Sequence, residues 1–328
     1  MKYRTLGNTG LKVSELGFGC GNVGGLLVRG DRKTMIDTVA RAIELGITYF
    51  DTAPLYGDGK SETNLGWVLK ELKADVIIGT KVMLPAADMQ HIEKSVVESV
   101  NRSLNRLEKQ RVDLIQLHNR IDLKRRPDER CLGLEDLRPV IHAFQSLREQ
   151  GKVRFWGVTG LGTTEALHQA VDTNSFHTIQ TCYNLLNPSA GKQVSRVFPF
   201  QDYRKLIERA SDKRMGAIAI RILAAGALSG ATERHPIALP SVPPIASGPQ
   251  YEEDVEQSRC FGFLVDEGYT HNLVEAAIRF VISKAGISTA LIGISSSEQL
   301  HQAVEYTNKG PLPADALDRI DKIHESGH

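Results

Sequence analysis

Much of what the sequence lacks is informative. It has no excess charge of one sign: 40 Lys and Arg stand against 39 Asp and Glu, for a formal net charge of +1. The two signs are interspersed, so nothing marks a nucleic-acid or anionic-membrane binder. It has no cysteine pairs. Cys20, Cys131, Cys182 and Cys260 are scattered without C-x-x-C spacing, which suits reduced thiols in a cytoplasmic protein. The ten histidines show no H-x-x-x-H spacing, so no zinc site is expected. The most apolar segment, AIAIRILAAGAL, is too short to span a bilayer and carries Arg221. The opening MKYRTLGNTG has no apolar run and does not read as a signal peptide. No internal repeat is apparent.

What is present is ordinary globular material: 328 residues, 41% hydrophobic and 24% charged, ample for a large core. YRTL and LKVSEL flank a GNTG turn and predict an amino-terminal β-hairpin. Short β-branched or apolar runs follow at 16–18, 48–51, 76–81, 113–118, 154–158, 178–183, 216–220 and 290–292. Between them lie helical patterns, such as Met35, Ile36, Val39, Ala42 and Ile43 on one face, or Ile92, Val96, Val100, Leu104 and Leu107. Gly46, Gly151 and Gly286 stand where helices end. Eight strand–helix alternations predict one α/β domain over 1–328, a (β/α)8 TIM barrel, with an open doubly wound sheet as the rival. The proline-rich stretch 231–257, a long loop after strand seven, is either a lid over the pocket or a mobile insert.

Gly19, Gly21 and Gly24 spell G-x-G-x-x-G, the dinucleotide fingerprint. In that motif the glycines open a helix directly. Here loop is expected to continue to about Asp31, so the glycines read as a loop at the mouth of barrel strand one.

In a barrel, chemistry sits where strands end and βα loops begin. Strand two ends at Asp51, with Tyr56 just beyond; strand three ends at Lys81 and strand four at His118. A lysine closing an apolar strand needs a counter-charge, and Asp51 is next door. An ammonium beside a phenol lowers its pKa and makes proton exchange feasible. His118 then hydrogen-bonds and orients a substrate oxygen. Together they suit carbonyl reduction or its reverse.

These residues, with YRTLGNTGLKVSELGFG, GITYFDTAPLYG, GTK, DLIQLH, GKVRFWGVTG, QTCYN and LIGISSSEQL, resemble the aldo-keto reductase superfamily over nearly the whole chain. The resemblance implies a (β/α)8 barrel and an NAD(P)H cofactor lying across its mouth. It implies hydride transfer between nicotinamide C4 and a carbonyl or alcohol carbon, with Asp51, Tyr56, Lys81 and His118 as the catalytic tetrad. It assigns Gln180 to the carboxamide and Tyr183 to stacking on the nicotinamide ring. Gly19, Thr159 and Gly160 join the cofactor site, Thr159-Gly160 replacing a Ser-Asn pair. Arg221 and Leu223 replace part of a Ser-Pro-Leu, and Gly226 and Leu228 belong to the loop around the pyrophosphate. Gly293, Ser295, Ser296, Ser297, Gln299 and Gln302 form the adenosine end. That loop has no Arg or Lys to clamp a 2′-phosphate, so NAD(H) stands nearly level with the family's NADP(H).

The Thr-Gly pair and the serine loop also look like the L-galactose and aldose 1-dehydrogenase branch, which oxidises a sugar hemiacetal. Asn119, Arg120 and Trp156 are further candidates for lining the pocket. The partner expected is a small carbonyl or sugar substrate. The alternative is a cofactor-binding regulatory or sensor subunit with little turnover. Isomerase-type barrel chemistry lacks a matching carboxylate base.

Overall fold

The computed structural model describes residues 1–326. All eight expected barrel strands form: β1 (Leu16–Gly19), β2 (Tyr49–Asp51), β3 (Ile77–Val82), β4 (Val112–Leu117), β5 (Val153–Thr159), β6 (Thr178–Cys182), β7 (Gly216–Ile220) and β8 (Ile287–Gly293). Each pairs in parallel with the next, and β8 returns to β1 with Ala290 opposite Leu16, so the sheet closes. The open-sheet rival is thereby excluded.

Eight helices surround the strands: α1 (Arg32–Glu44), α2 (Lys60–Glu71), α3 (Ile92–Leu107), α4 (Leu137–Glu149), α5 (Thr164–Asp172), α6 (Leu206–Asp212), α7 (Leu273–Ser283) and α8 (Ser297–Asn308), with Ala314–Ser326 following. Three of their starts are capped by short polar side chains. Asp31, Asn272 and Ser296 accept from Thr34, Glu275 and Gln299 amides at the heads of α1, α7 and α8. Gly46, Gly151 and Gly286 take left-handed φ of 90°, 72° and 91° just after α1, α4 and α7. Outward strand residues such as Phe50, Ile115, Val158 and Ile179 pack on helix residues such as Val39, Val100, Phe144 and Leu167.

The hairpin, Tyr3–Thr5 with Lys12–Ser14, closes the lower end of the barrel. Its Leu6, Leu11 and Val13 pack into the barrel axis against Leu114, Ile218 and Leu291. Each such side chain contributes ~1.5–3 kcal/mol relative to exposure. Arg4 pins the plug, pairing with Glu15 and donating to the carbonyls of Ile282 and Ile287, each at 2.7 Å.

Three local features differ from the sequence reading. A one-turn helix, Leu26–Arg29, interrupts the expected loop after β1. A short parallel pair, Arg120–Asp122 with Cys131–Gly133, forms beyond β4. Most of 231–250 is irregular but follows a defined path, ending in the helix Tyr251–Ser258. Among the described residues the four cysteines are free, and only Cys260 is exposed. No helix there is long and apolar enough to cross a membrane.

Candidate active site

Strand alternation sends Asp51, Lys81 and Gln180 into the barrel axis at its upper end. The Lys81 ammonium pairs with Asp51 Oδ2 and donates to the Thr52 carbonyl at 2.9 Å. Both partners are buried, with side chains 1% and 5% exposed. The same ammonium lies 4.9 Å from the centroid of the Tyr56 ring. Tyr56 meets His118 edge-on, ring centroids 6.0 Å apart. Asp51 Oδ1 accepts from Tyr49 Oη at 3.1 Å and from Gln180 Nε2 at 2.8 Å. The four residues singled out on adjacent strand ends are thus brought into one cluster.

Its electrostatics partly correct the expectation. Burial pushes the Tyr56 phenol up from its ordinary value; the Lys81 ammonium pulls it down, and the Asp51 carboxylate raises it again. The net direction is upward, because desolvation of a phenolate outweighs one ammonium already shared with a carboxylate. Burial pulls Lys81 down, but Asp51 and then Tyr56 more than offset it, so its charge is secured above the usual lysine range. Burial, with Lys81 second, lowers His118 from 6.5 to about 3. His118 is therefore a neutral imidazole, and its Nδ1 is buried with no protein partner.

A stability consequence follows. Burial also lowers His324, to about 4. Both histidines stay neutral in the fold while their unfolded forms protonate below about 6.5. The unfolded state then binds more protons, so stability present above 6.5 is lost as pH falls toward 4. The melting temperature should drop by several degrees between pH ~7.5 and ~4.5. The acid drop should be shallower in His118→Gln; an unchanged slope would contradict the assignment.

The cluster forms the floor of a cleft of about 480 Å³ at the barrel mouth. Tyr56, His118 and Asp51 line it, with Lys81 buried behind them. Of the residues assigned to a cofactor, Gly19, Thr159, Gln180, Arg221, Leu223, Gly226, Gly293, Ser295, Gln299 and Gln302 line the same cleft. Five do not. Tyr183 is one step out of phase with Gln180, so its ring faces the helix layer and stacks on Phe280 at 5.1 Å. Gly160 lies behind the wall, where a Cβ would come within 2.5 Å of the Gln180 carbonyl; glycine is needed there for strand contact. Leu228 turns into the core and is fully buried. Ser296 is the cap of α8, and Ser297 is half-buried in its first turn. Asn119 and Trp156 are structural as well, holding Leu84 and Arg130 and the Ser175 carbonyl respectively.

Sequence reading missed the residues of the segment that covers the cleft: Glu233, Arg234, His235, Ile245 and Tyr251 all line it, as does Ile220 at the end of β7. The segment runs from β7 across to the β1 loop. Leu239 N donates to the Val23 carbonyl at 3.3 Å and Arg29 Nε to the Ile237 carbonyl at 2.6 Å. Arg234 donates to Ala225 and Leu239 carbonyls. Stretch 231–257 is therefore a strap over the mouth. The G-x-G-x-x-G has a different task from the one its pattern suggests. At Gly24 a Cβ would lie 2.3 Å from Ile294 N, and Leu26 N donates to the Ile294 carbonyl at 3.2 Å. The glycines let the β1 loop seat against the β8 loop.

Several features fit a nicotinamide dinucleotide. Thr159 Oγ1 is buried at the cleft wall with no protein partner, beside Gln180. Arg221, Ala224 and Ala225 hold left-handed φ of 56°, 45° and 61°, followed by Gly226 at 113°. Non-glycine residues adopt this region at a cost and cluster at functional sites. Among the described residues no group of three or more His, Cys, Asp or Glu could hold a metal.

Barrel, tetrad and covered cleft together define an oxidoreductase site. The model of the Aldo/keto reductase family matches residues 15–325, and the chain belongs to that family. It is accordingly an NAD(P)(H)-dependent oxidoreductase acting at carbonyl and alcohol groups. It is 29% identical to aldo-keto reductase YhdN of Bacillus subtilis over 94% of this chain and 89% of that protein. It is also 29% identical to the L-galactose dehydrogenase of Arabidopsis thaliana, covering 93% and 87%. The holo form of aldo-keto reductase AKR11C1 from Bacillus halodurans superposes with a TM-score of 0.71 at 25% identity, covering 99% and 97%.

Proposed function

We propose that this chain is an aldose 1-dehydrogenase that oxidises the hemiacetal of a small sugar, or reduces the corresponding carbonyl, with Tyr56 as acid–base catalyst. The observation that carries this is the buried Lys81 ammonium, held by Asp51 and set 4.9 Å from the Tyr56 ring at the cleft floor. When bound, the nicotinamide accepts or supplies the hydride at C4. In the oxidative direction ionised Tyr56 takes the proton of the anomeric hydroxyl. Lys81 stabilises that phenolate, and Asp51 keeps Lys81 in place. Neutral His118 hydrogen-bonds and orients the substrate oxygen. The likeness to an L-galactose dehydrogenase supports the sugar class.

Thr159 and Gln180 would hold the carboxamide. The left-handed turn from Ala224 to Gly226 would offer backbone N–H groups to the pyrophosphate, with Arg221 and Arg234 as cations at the same cleft. At the adenosine end, Ser295 Oγ donates to the Gly24 carbonyl at 2.6 Å and Ser295 N to Gln299 Oε1 at 2.9 Å. Those donors are already engaged, so NADP(H) gains little over NAD(H) there.

The test is nicotinamide absorbance with NAD+ or NADP+ and a panel of aldoses, and with aldehydes in reverse. Turnover of an aldose is expected; no turnover in either direction with either cofactor rejects the proposal. Replacing residues 236–244 of the strap with a short Gly-Ser linker should raise cofactor Kd about tenfold, or ~1.4 kcal/mol. An unchanged Kd would show that the strap does not hold the cofactor.

A further inference from the structure

The barrel axis below the tetrad carries polar groups that the reaction does not use. Strand register stacks the inward residues in layers of four from alternate strands. Asp51, Gln116, Gln180 and Leu291 form one layer; Gly17, Gly79, Gly157 and Ile218 lie beneath it; Tyr49, Leu114, Thr178 and Thr289 lie beneath those. The middle layer is thus almost devoid of side chains, and its neighbours reach into it. A Cβ at Gly79 would come within 2.4 Å of Tyr49 Oη, and one at Gly157 within 2.0 Å of Thr178 Oγ1. Thr289 Oγ1 and the Tyr49 ring both border Gly17.

Through this glycine layer Tyr49 Oη reaches up to Asp51 Oδ1. Around it, Gln116 above interacts with Tyr49 without a well-formed hydrogen bond, and Thr178 Oγ1 and Thr289 Oγ1 below are buried with no protein partner. Native interiors rarely leave such groups unsatisfied, and several bordering one layer require an explanation. Water is the fitting ligand, because an amide and a hydroxyl each offer it both a donor and an acceptor. Leu6, Leu11 and Leu114 seal the axis below, so the site is closed to solvent from that end.

We propose that the polar groups bordering the glycine layer, Thr178 and Thr289 below and Gln116 above, each bind ordered water, and that Tyr49, anchored in this polar layer, is a positioning residue for Asp51 and hence for proton transfer at Tyr56. The donors on Oδ1 draw carboxylate charge away from the oxygen that faces Lys81. Without Tyr49 Oη, more of that negative charge is felt at Tyr56, and its phenolate is disfavoured. The positioning claim rests on the acid–base role proposed above for Tyr56; the water site does not.

Thr289→Val and Thr178→Val replace a hydroxyl by a methyl group of the same shape. In a hydrated layer each removes a water's partner and lowers the melting temperature. In a dry layer each removes an unsatisfied hydroxyl and raises it, which would overturn the water site. Tyr49→Phe in the full-length enzyme tests the second half, with the fastest aldose of the panel. The rising limb of kcat against pH in the oxidative direction should move up by about half to one pH unit, with KM changed less than about twofold. A limb that stays in place while the protein merely melts earlier would make Tyr49 a packing residue and overturn the positioning role. If Tyr56→Phe keeps full turnover, the acid–base assignment fails instead, and the valine variants still decide the water site.

Discussion

Replacing Tyr56 by phenylalanine should lower kcat in both directions by about 10²–10⁴-fold, the usual worth of a positioned proton donor. Cofactor Kd should change less than about twofold, since the ring and its packing remain and only the hydroxyl is lost. The neutral state of His118 makes this a sharp test. An imidazole that binds protons only near pH 3 is a poor substitute acid at neutral pH. Stopped-flow or steady-state rates, with cofactor affinity from fluorescence titration, separate the two quantities. Turnover within a factor of about ten of wild type would mean that another group supplies the proton.

The second large effect is on stability as well as rate. Lys81→Met leaves the Asp51 carboxylate buried without its ammonium, and breaking one side of a buried pair costs about 3–5 kcal/mol. Tyr49 and Gln180 still donate to Oδ1, which places the expected loss toward the lower end. In a chain of 328 residues that is a fall in melting temperature of about 4–7 °C. Turnover should fall with it, because the phenolate loses its stabilising charge. The double variant Asp51→Asn/Lys81→Met should recover most of the stability and none of the activity. Equal stability of the single variant and wild type would show that the pair is not buried in the way described.

The barrel was legible because its signals are local and repeated. Each strand run ends near the same kind of loop, and Asp51, Lys81 and His118 each close an apolar run where no structural need calls for a polar residue. The Tyr183 assignment failed at a finer level. Period-two alternation, applied from the inward Gln180, already turns residue 183 outward, and that parity was readable. The upward shift of Tyr56 was less accessible, because it depends on how deeply the phenol is enclosed relative to one ammonium. Arg234, in an irregular segment, and Tyr251, at the head of the helix that follows it, were hidden because the path of that segment is set by distant contacts with Val23 and Arg29. The glycine layer in the middle of the barrel was out of reach for a similar reason. Gly17, Gly79 and Gly157 are far apart in sequence, and only the stagger of the closed sheet puts them at one height.

The plug at the lower end bears on how the molecule is made. Arg4 clasps the carbonyls of Ile282 and Ile287, and β1 finds its second neighbour only in β8. During synthesis the earliest segments must therefore wait, with one strand edge and the leucines of the hairpin uncovered, until residue 293 has left the ribosome. Closure of the sheet and burial of the hairpin leucines should accordingly come together in one late step, once β8 is in place.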